Sequence, residues 1–208
     1  MLITLSGLDG AGKSTLVRGL RARLNAHGRA VTVLHLNDDV GVYAALRALR
    51  NVLRGPARPA SPPGRARNRL RDALVWSKTL RRLLYPVDLV VFALVRLAVE
   101  RLGGRVLIMD RYFYDTLVDV TNGRRGLWLR ILERVTPAPD LAVLVDVRPE
   151  TCLGRKPEYP IEYLEHRRRH YQALFPRVPS GVTLGNDDLP TTQAALERLV
   201  LERLEARA

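Results

Sequence analysis

The first 26 residues have a hydrophobic pattern that predicts a strand, a tight turn and a helix. Residues 2–5 form a short apolar run, and glycines follow at positions 7, 10 and 12. From position 13 onward, Leu16, Leu20 and Leu24 recur at helical spacing. This spacing places the three side chains on one face of a helix, and Gly28 marks its end.

Similar apolar runs separated by helical patterns continue through the chain. The further predicted strands are 30–36, 105–109, 141–147 and, more weakly, 182–184. The predicted helices are 42–53, 70–84, 87–102, 127–135, 159–175 and 190–206, with a break at Pro86. Strands that are apolar on both faces and alternate with helices are typical of a parallel sheet between helical layers. We therefore predict an α/β three-layer sandwich with about five parallel strands and helices on both faces.

Residues 55–68 depart from this alternation. They read GPARPASPPGRARN, with four prolines and two glycines in a basic context. Neither flank forms a complete fold alone, so we predict a mobile loop within a single domain covering 1–208, rather than a domain boundary.

The most apolar segment, residues 87–99, has the sequence VDLVVFALVRLAV. A membrane span needs about 20 apolar residues, and this shorter run contains Asp88 and Arg96. We expect no membrane span and predict a buried core helix. The first ten residues, MLITLSGLDG, lack the features of a signal peptide, so we expect a cytoplasmic protein.

The composition is strongly basic, with a net charge of +13. Only three of the 34 basic residues are lysines, which makes Lys13 conspicuous. This charge favours anionic partners such as nucleic acid, an acidic membrane face or phosphorylated small molecules. The arginines are spread along the chain, however, and a solvated surface explains them equally well, so nucleic acid is not the expected partner. A single cysteine, Cys152, excludes an intramolecular disulfide and a multi-cysteine zinc site.

Residues 7–14, GLDGAGKS, match the phosphate-binding pattern G-x-x-x-x-G-K-[ST] between a predicted strand and a predicted helix. Glycines let main-chain N–H groups close around a phosphate, and the positive end of the helix points at the same anion. Lys13 would reach the β- and γ-phosphates, the Ser14 hydroxyl would ligate Mg²⁺, and Thr15 would contact the α-phosphate. The motif predicts a P-loop NTPase fold that binds ATP through Gly7, Leu8, Asp9, Gly10, Ala11, Gly12, Lys13, Ser14 and Thr15.

Further motifs carry a family resemblance. GLDGAGKST at 7–15, followed by DRY at 110–112, resembles the thymidylate kinases. PDLAVLVDVRPE at 139–150 and IEYLEHRRRHYQAL at 161–174 look like later segments of that family. The resemblance covers 1–36 and 105–208. It implies Mg²⁺-dependent transfer of a phosphoryl group from ATP to a nucleoside monophosphate, with a short lid at 154–160 and an acceptor-side helical region at about 37–104. Because the resembled family often dimerises through helices beside the sheet, a homodimer contact through the helix at 87–102 is an alternative to its burial in the core.

The chain departs from the family on the acceptor side. Where the family has Arg-Glu-Pro-Gly after the second strand, this chain reads LNDDVGVY at 36–43, and the Phe-x-Ala-x-Arg element that grips the nucleotide is not found. The acceptor therefore stays open between thymidylate, another nucleoside monophosphate, and a hydroxyl of a nucleoside or small metabolite. A non-catalytic basic module that binds nucleotide or nucleic acid is the third alternative.

The remaining site residues follow from position and from the resemblance. Asp110 ends a buried strand beside the P-loop and is assigned to Mg²⁺. Strand alternation predicts that Arg111 points to the opposite face. The resemblance nevertheless assigns it to the phosphates and the acceptor. Catalysis is assigned to Lys13, Arg111, Arg155 and Asp9, and acceptor binding to Asp9, Arg111, Tyr112, Trp76 and Tyr114.

Several of these assignments have structural alternatives. Asp9 could serve the acceptor, the metal or only the turn, and either Asp9 or Asp110 would be the base if the acceptor were a hydroxyl. The tyrosines and Trp76 could stack on a base or pack in the core. Arg155 is assigned as an internal arginine finger, with Lys156 as a substitute. Arginines 167–169 are expected mainly on a solvated helix face, Asp146 at the sheet end or lid helix, and Asn186 near an adenine.

Overall fold

The computed structural model describes residues 1–35, 78–102, 105–120 and 127–206. The described strands form one sheet in the order β2-β3-β1-β4-β5, and every neighbouring pair is parallel. Their bounds are β1 Leu2–Gly7, β2 Val31–His35, β3 Val106–Asp110, β4 Leu141–Asp146 and β5 Gly181–Gly185. The predicted five-stranded parallel sheet is therefore confirmed.

The described helices pack in two groups, with α1 against α7, and α3 against both α2 and α6. Every residue of β1 is buried, as expected for a central strand between helical layers. The helices are α1 Lys13–Ala26, α2 Lys78–Leu97, α3 Phe113–Val120, α4 Leu127–Val135, α5 Pro149–Arg155, α6 Ile161–Leu174 and α7 Leu189–Glu205. A π-helical turn, Ala98–Leu102, follows α2, and a 3-10 turn, Phe175–Arg177, follows α6.

The strand register brings chemically useful residues to one edge of the sheet. His35 pairs with Asp110 at the ends of β2 and β3, and Leu5 of β1 also pairs with Asp110. Parallel strands end at the same edge, which is where ligands bind in open α/β sheets. The turn after Gly7 therefore lies beside the ends of β2 and β3.

The predicted helix break at Pro86 is wrong, because α2 continues through this residue to Leu97. An interior proline removes one helical hydrogen bond and costs about 3 kcal/mol. Beyond the proline, Leu89 and Phe92 are buried, and Phe92 contacts Tyr112 and Phe113 edge to face. This packing offsets the lost hydrogen bond and keeps the helix continuous.

The expectation of a buried core helix at 87–99 holds for only one side of the helix. Leu89 and Phe92 face the core, whereas Val90 and Leu94 are 62% and 63% exposed. The helix contacts α3 along one side, so its residues are not buried all round. Within the described residues, no helix has both the length and the apolar character needed to cross a bilayer.

Two described helices were not expected from the sequence. Both α3 and α5 are short and begin within three residues of the end of a buried strand. Helices of seven or eight residues repeat the apolar spacing too few times for periodicity to identify them. The predicted helix 42–53 and loop 55–68 lie outside the described residues.

Candidate active site

The turn between β1 and α1 has the backbone shape that the glycine pattern predicted. Gly10 and Gly12 have φ angles of 86° and 88°, a region that other residues rarely adopt. A Cβ atom on Gly10 would lie 2.6 Å from the Cys152 carbonyl oxygen, and one on Gly12 would lie 2.5 Å from Asn186 Nδ2. Glycine at these positions lets the turn pack closely against α5 and against the residue that follows β5.

Lys13 is held inside this turn. Its side chain is almost fully buried, and Nζ donates to the carbonyl oxygens of Gly7 at 2.8 Å and Leu8 at 2.7 Å. Burial lowers the pKa of the ammonium group below its usual value, while the negative charge of Asp115 is the largest influence in the other direction. An ammonium held at the P-loop in this way can neutralise a phosphate.

The predicted metal ligands lie together. Ser14 Oγ donates to Asp110 Oδ2 at 2.6 Å, and His35 Nε2 lies 3.4 Å from the same oxygen. Mg²⁺ in phosphate-binding sites takes one or two protein oxygens and completes its shell with water and phosphate. One hydroxyl and one carboxylate at the edge of a cavity fit this requirement.

Asp9 and Arg111 form an ion pair across the same site. Burial opposes ionisation of Asp9, but the positive charges of Arg111 and Lys13 outweigh it and keep its pKa below the usual value. Arg111 does not point away from the site as alternation predicted. Strand β3 ends at Asp110, and a φ of 72° at Arg111 turns the backbone so that both side chains line one cavity.

The cavity has a volume of about 590 Å³. It brings four lysine or arginine residues of the predicted site and lid together with the P-loop and Asp110, so positive charge is concentrated at its wall. Its lining residues are Asp9, Gly10, Gly12, Lys13, Ser14, Thr15, His35, Asp110, Arg111, Arg155 and Lys156. The other predicted P-loop residues, Gly7, Leu8 and Ala11, are buried behind this wall.

The predicted lid residues follow the end of β4. Arg155 is the last residue of α5, and residues 156–160 connect it to α6. Arg155 Nη2 donates to the carbonyl oxygen of Asn186 at 3.5 Å, and Asn186 Nδ2 donates to that of Ala11 at 2.7 Å. Asn186 thus connects the lid arginine to the P-loop, a contact that its predicted adenine-side position did not indicate.

Two predicted acceptor-binding residues do not reach the cavity. Tyr112 and Tyr114 are buried, their rings contact each other edge to face, and Tyr112 Oη donates to the Pro137 carbonyl oxygen. Burial raises the pKa of Tyr114 to about 12. Both tyrosines therefore pack in the core, which was the alternative to stacking on a base. Trp76 lies outside the described residues.

The arginines of α6 differ in environment. Arg167 is buried between Tyr163 and Tyr171, so the expected solvated face is wrong at this position. Arg168 pairs with Asp146 through Nε at 2.6 Å and Nη2 at 2.9 Å, which agrees with the expected place of Asp146 near the lid helix.

Sequence reasoning missed two residues near the site, His35 and Asp115. His35 lines the cavity because β2 ends beside Asp110, and its place near the end of a predicted apolar strand was the available signal. Asp115 is buried behind the P-loop, on α3. One partner, the N–H of Tyr112, lies three residues earlier, but Ser6 and Tyr171 come from distant parts of the chain, and nothing in the local sequence indicates them.

Comparison with known proteins finds thymidylate kinases. The thymidylate kinase of Chlorobium luteolum is 33% identical over 162 residues, covering 75% of this chain and 66% of that protein. The enzyme of the same name from Deinococcus radiodurans is 34% identical over 161 residues, covering 74% and 68%.

A probable thymidylate kinase of Archaeoglobus fulgidus is 27% identical over 177 residues, covering 81% of this chain and 78% of that protein. The chain spans about two thirds of the length of the first two relatives. No protein-family model matches it.

Proposed function

The chain belongs to the thymidylate kinase family. We propose that it transfers the terminal phosphoryl group of ATP to a nucleoside monophosphate, and thymidylate is the acceptor we propose to test first. The observation that carries this proposal is one cavity lined by Lys13, Ser14, Asp110 and the Asp9–Arg111 pair. Phosphoryl transfer needs charge neutralisation and alignment rather than covalent catalysis, and these groups supply both.

In the proposed reaction, the bond between the terminal phosphorus of ATP and its bridging oxygen breaks. A bond forms from an oxygen of the acceptor phosphate to the same phosphorus, giving ADP and a nucleoside diphosphate. The acceptor phosphate is already ionised at neutral pH, so no strong general base is required. This chemistry agrees with a site whose carboxylates are occupied by a hydroxyl, a histidine and an arginine.

Each residue has a distinct task in this proposal. The P-loop amides and Lys13 bind the donor phosphates, and Ser14 with Asp110 would hold Mg²⁺, which supplies positive charge to the donor oxygens. Arg111, oriented by Asp9, holds the acceptor or the transferred group. Arg155 stands at the cavity wall, where a guanidinium can stabilise charge that develops on the equatorial oxygens.

The test is release of ADP measured across a panel of nucleoside monophosphates with Mg²⁺ and ATP. We expect turnover with thymidylate or a related monophosphate, and its abolition in Lys13→Met. Arg111→Lys should lose most activity, because lysine lacks the planar fork of donors. Arg198→Lys is the matched control, since Arg198 is 76% exposed. Tight ATP binding with no turnover on any monophosphate would overturn the proposal.

A hydroxyl acceptor is the second candidate, and one observation favours it. Both Asp9 and Asp110 line the cavity, so an attacking hydroxyl bound there would lie near a carboxylate that can take its proton once the present partner of that carboxylate moves. Asp9→Asn then lowers turnover steeply and flattens its dependence on pH. Turnover that is unchanged in this variant would exclude Asp9 as the base.

A further inference from the structure

Asp115 is a buried carboxylate that the proposed reaction does not use. It lies on α3 with 4% of its surface exposed. One carboxylate oxygen accepts from Ser6 Oγ at 2.7 Å and from the Tyr112 N–H at 2.9 Å. The other accepts from Tyr171 Oη at 2.6 Å. Three donors from three separate parts of the chain therefore converge on a single side chain.

Each donor lies on or next to a segment that contributes to the site. Ser6 directly precedes Gly7, the first residue of the phosphate-binding turn. Tyr112 directly follows Arg111, and Tyr171 lies on α6, the helix that follows the lid residues 156–160. Movement of any one element relative to the others would break a hydrogen bond to a buried charge, which is costly in free energy.

The backbone at Arg111 depends on this arrangement. Its φ of 72° is unfavourable for a residue with a side chain, and such a conformation persists only when the surroundings fix it. On one side, the Arg111 N–H donates to the Leu5 carbonyl oxygen at 3.0 Å. On the other, the N–H of Tyr112 donates to Asp115. Asp115 thus fixes the peptide that turns Arg111 toward Asp9.

Arg167 determines the direction of the hydrogen bond from Tyr171. Arg167 Nη2 lies 3.3 Å from Tyr171 Oη and can only donate. The hydroxyl therefore accepts from Arg167 and directs its own proton to Asp115. Complete burial, together with the negative charge of Asp115, holds the pKa of Tyr171 well above its usual value, so the hydroxyl stays protonated.

We propose that Asp115 is a positioning residue, which holds the Arg111 turn against the phosphate-binding turn and connects the lid helix α6 to both. The inference rests on the proposed function in one respect, the assignment of Arg111 to the acceptor or the transferred group. Asp115 itself does not line the cavity.

The chain offers a matched pair of variants on α6. Tyr171 and Tyr163 both place a hydroxyl on Arg167, at 3.3 Å and 2.8 Å, but only Tyr171 has a hydrogen bond to Asp115. Tyr171→Phe and Tyr163→Phe each remove one hydroxyl and keep the ring. Tyr171→Phe also leaves the carboxylate in place, so it tests the connection even if Asp115→Asn fails to fold.

We expect Tyr171→Phe to raise the KM for the acceptor and lower kcat/KM by about tenfold, because one hydrogen bond to a buried charge is lost. Affinity for an unreactive ATP analogue, measured by calorimetry, should stay within about twofold, because the turn amides are intact. Tyr163→Phe should resemble the unmodified chain in all three quantities. A purely structural role would reduce the active fraction and leave both KM and analogue affinity unchanged.

Equal acceptor KM values in Tyr171→Phe and Tyr163→Phe would overturn the inference. If the unmodified chain turns over no nucleoside monophosphate, the proposed function fails, and the positioning role is then judged from stability alone. Urea unfolding of Arg111→Met, Tyr171→Phe and the double variant should then show non-additive destabilisation. Additive effects would overturn the positioning role without reference to activity.

Discussion

Replacing Asp9 with asparagine tests the electrostatics of the site most directly. The Asp9 side chain is 10% exposed and that of Arg111 is 36% exposed, so water screens the pair from one side only. A hydrogen bond to a charged partner contributes roughly 1.5–3 kcal/mol, and screening reduces this figure. We expect Asp9→Asn to lower the free energy of unfolding at pH 7 by about 1–2 kcal/mol.

The loss should depend on pH in a defined direction. Positive charge from Arg111 and Lys13 overcomes the effect of burial, and the pKa of folded Asp9 lies below its ordinary value of 3.8. The ionised carboxylate therefore stabilises the fold at any pH above about 4 and loses this effect as the pH falls through the folded-state pKa. The difference between the unmodified chain and Asp9→Asn should shrink below about pH 4.

Urea unfolding followed by circular dichroism, at a series of pH values between 7 and 3, measures the loss of unfolding free energy at pH 7 and its dependence on pH. Asp187→Asn is the control, because Asp187 is exposed and lies after β5. It should leave the unfolding free energy within about 0.5 kcal/mol of that of the unmodified chain. A difference for Asp9→Asn that is absent at pH 7, or that stays constant down to pH 3, would refute the reasoning.

Three further outcomes follow from the same geometry. Gly10→Ala should abolish ATP binding by calorimetry and lower the melting temperature, because its Cβ would meet the Cys152 carbonyl oxygen, whereas Gly154→Ala has nothing within 4 Å and should bind normally. Ser14→Ala should raise the Mg²⁺ concentration needed for half-maximal activity, since it removes the hydroxyl beside Asp110, and an unchanged requirement would exclude Ser14 as a ligand. Burial raises the pKa of the Cys152 thiol, so it should react with a thiol reagent only after unfolding; rapid reaction of the native chain would contradict its burial.

The parts of the site that the sequence predicted are those with local geometric requirements. A turn with φ near 90° needs glycine, and Gly10 and Gly12 stand where the turn needs them. The apolar spacing of Leu16, Leu20 and Leu24 predicted α1, and all three are buried. Their signals lie within a few residues, so no knowledge of distant segments was needed.

Two of the acceptor-side assignments depended on distant packing, and the structure places neither residue at the cavity. Tyr112 and Tyr114 looked available for a base, but their rings pack against Phe92, Phe113 and Phe175 in the core. An aromatic side chain in a motif does not indicate whether it faces a ligand or a helix. Its direction depends on which segment packs beside it.

At Arg111 and at Pro86, the backbone conformation differs from the one that the local sequence predicted. Strand alternation predicted the direction of Arg111, but β3 ends one residue earlier and a left-handed backbone reverses that direction. Local propensity predicted a break at Pro86, but burial of Leu89 and Phe92 keeps the helix continuous. In both cases a long-range contact outweighs a local preference.

The sequence alone determined the glycine turn after β1, its helix and the parallel sheet, because backbone conformation and apolar periodicity act over a few neighbouring residues. The tertiary structure decided the pairing of Asp9 with Arg111, the contact of His35 with Asp110, and the three donors on Asp115. Apart from the N–H of Tyr112, which lies three residues before Asp115, these partners are separated by dozens of residues or more along the chain. Only the order and register of the strands bring them within hydrogen-bond distance.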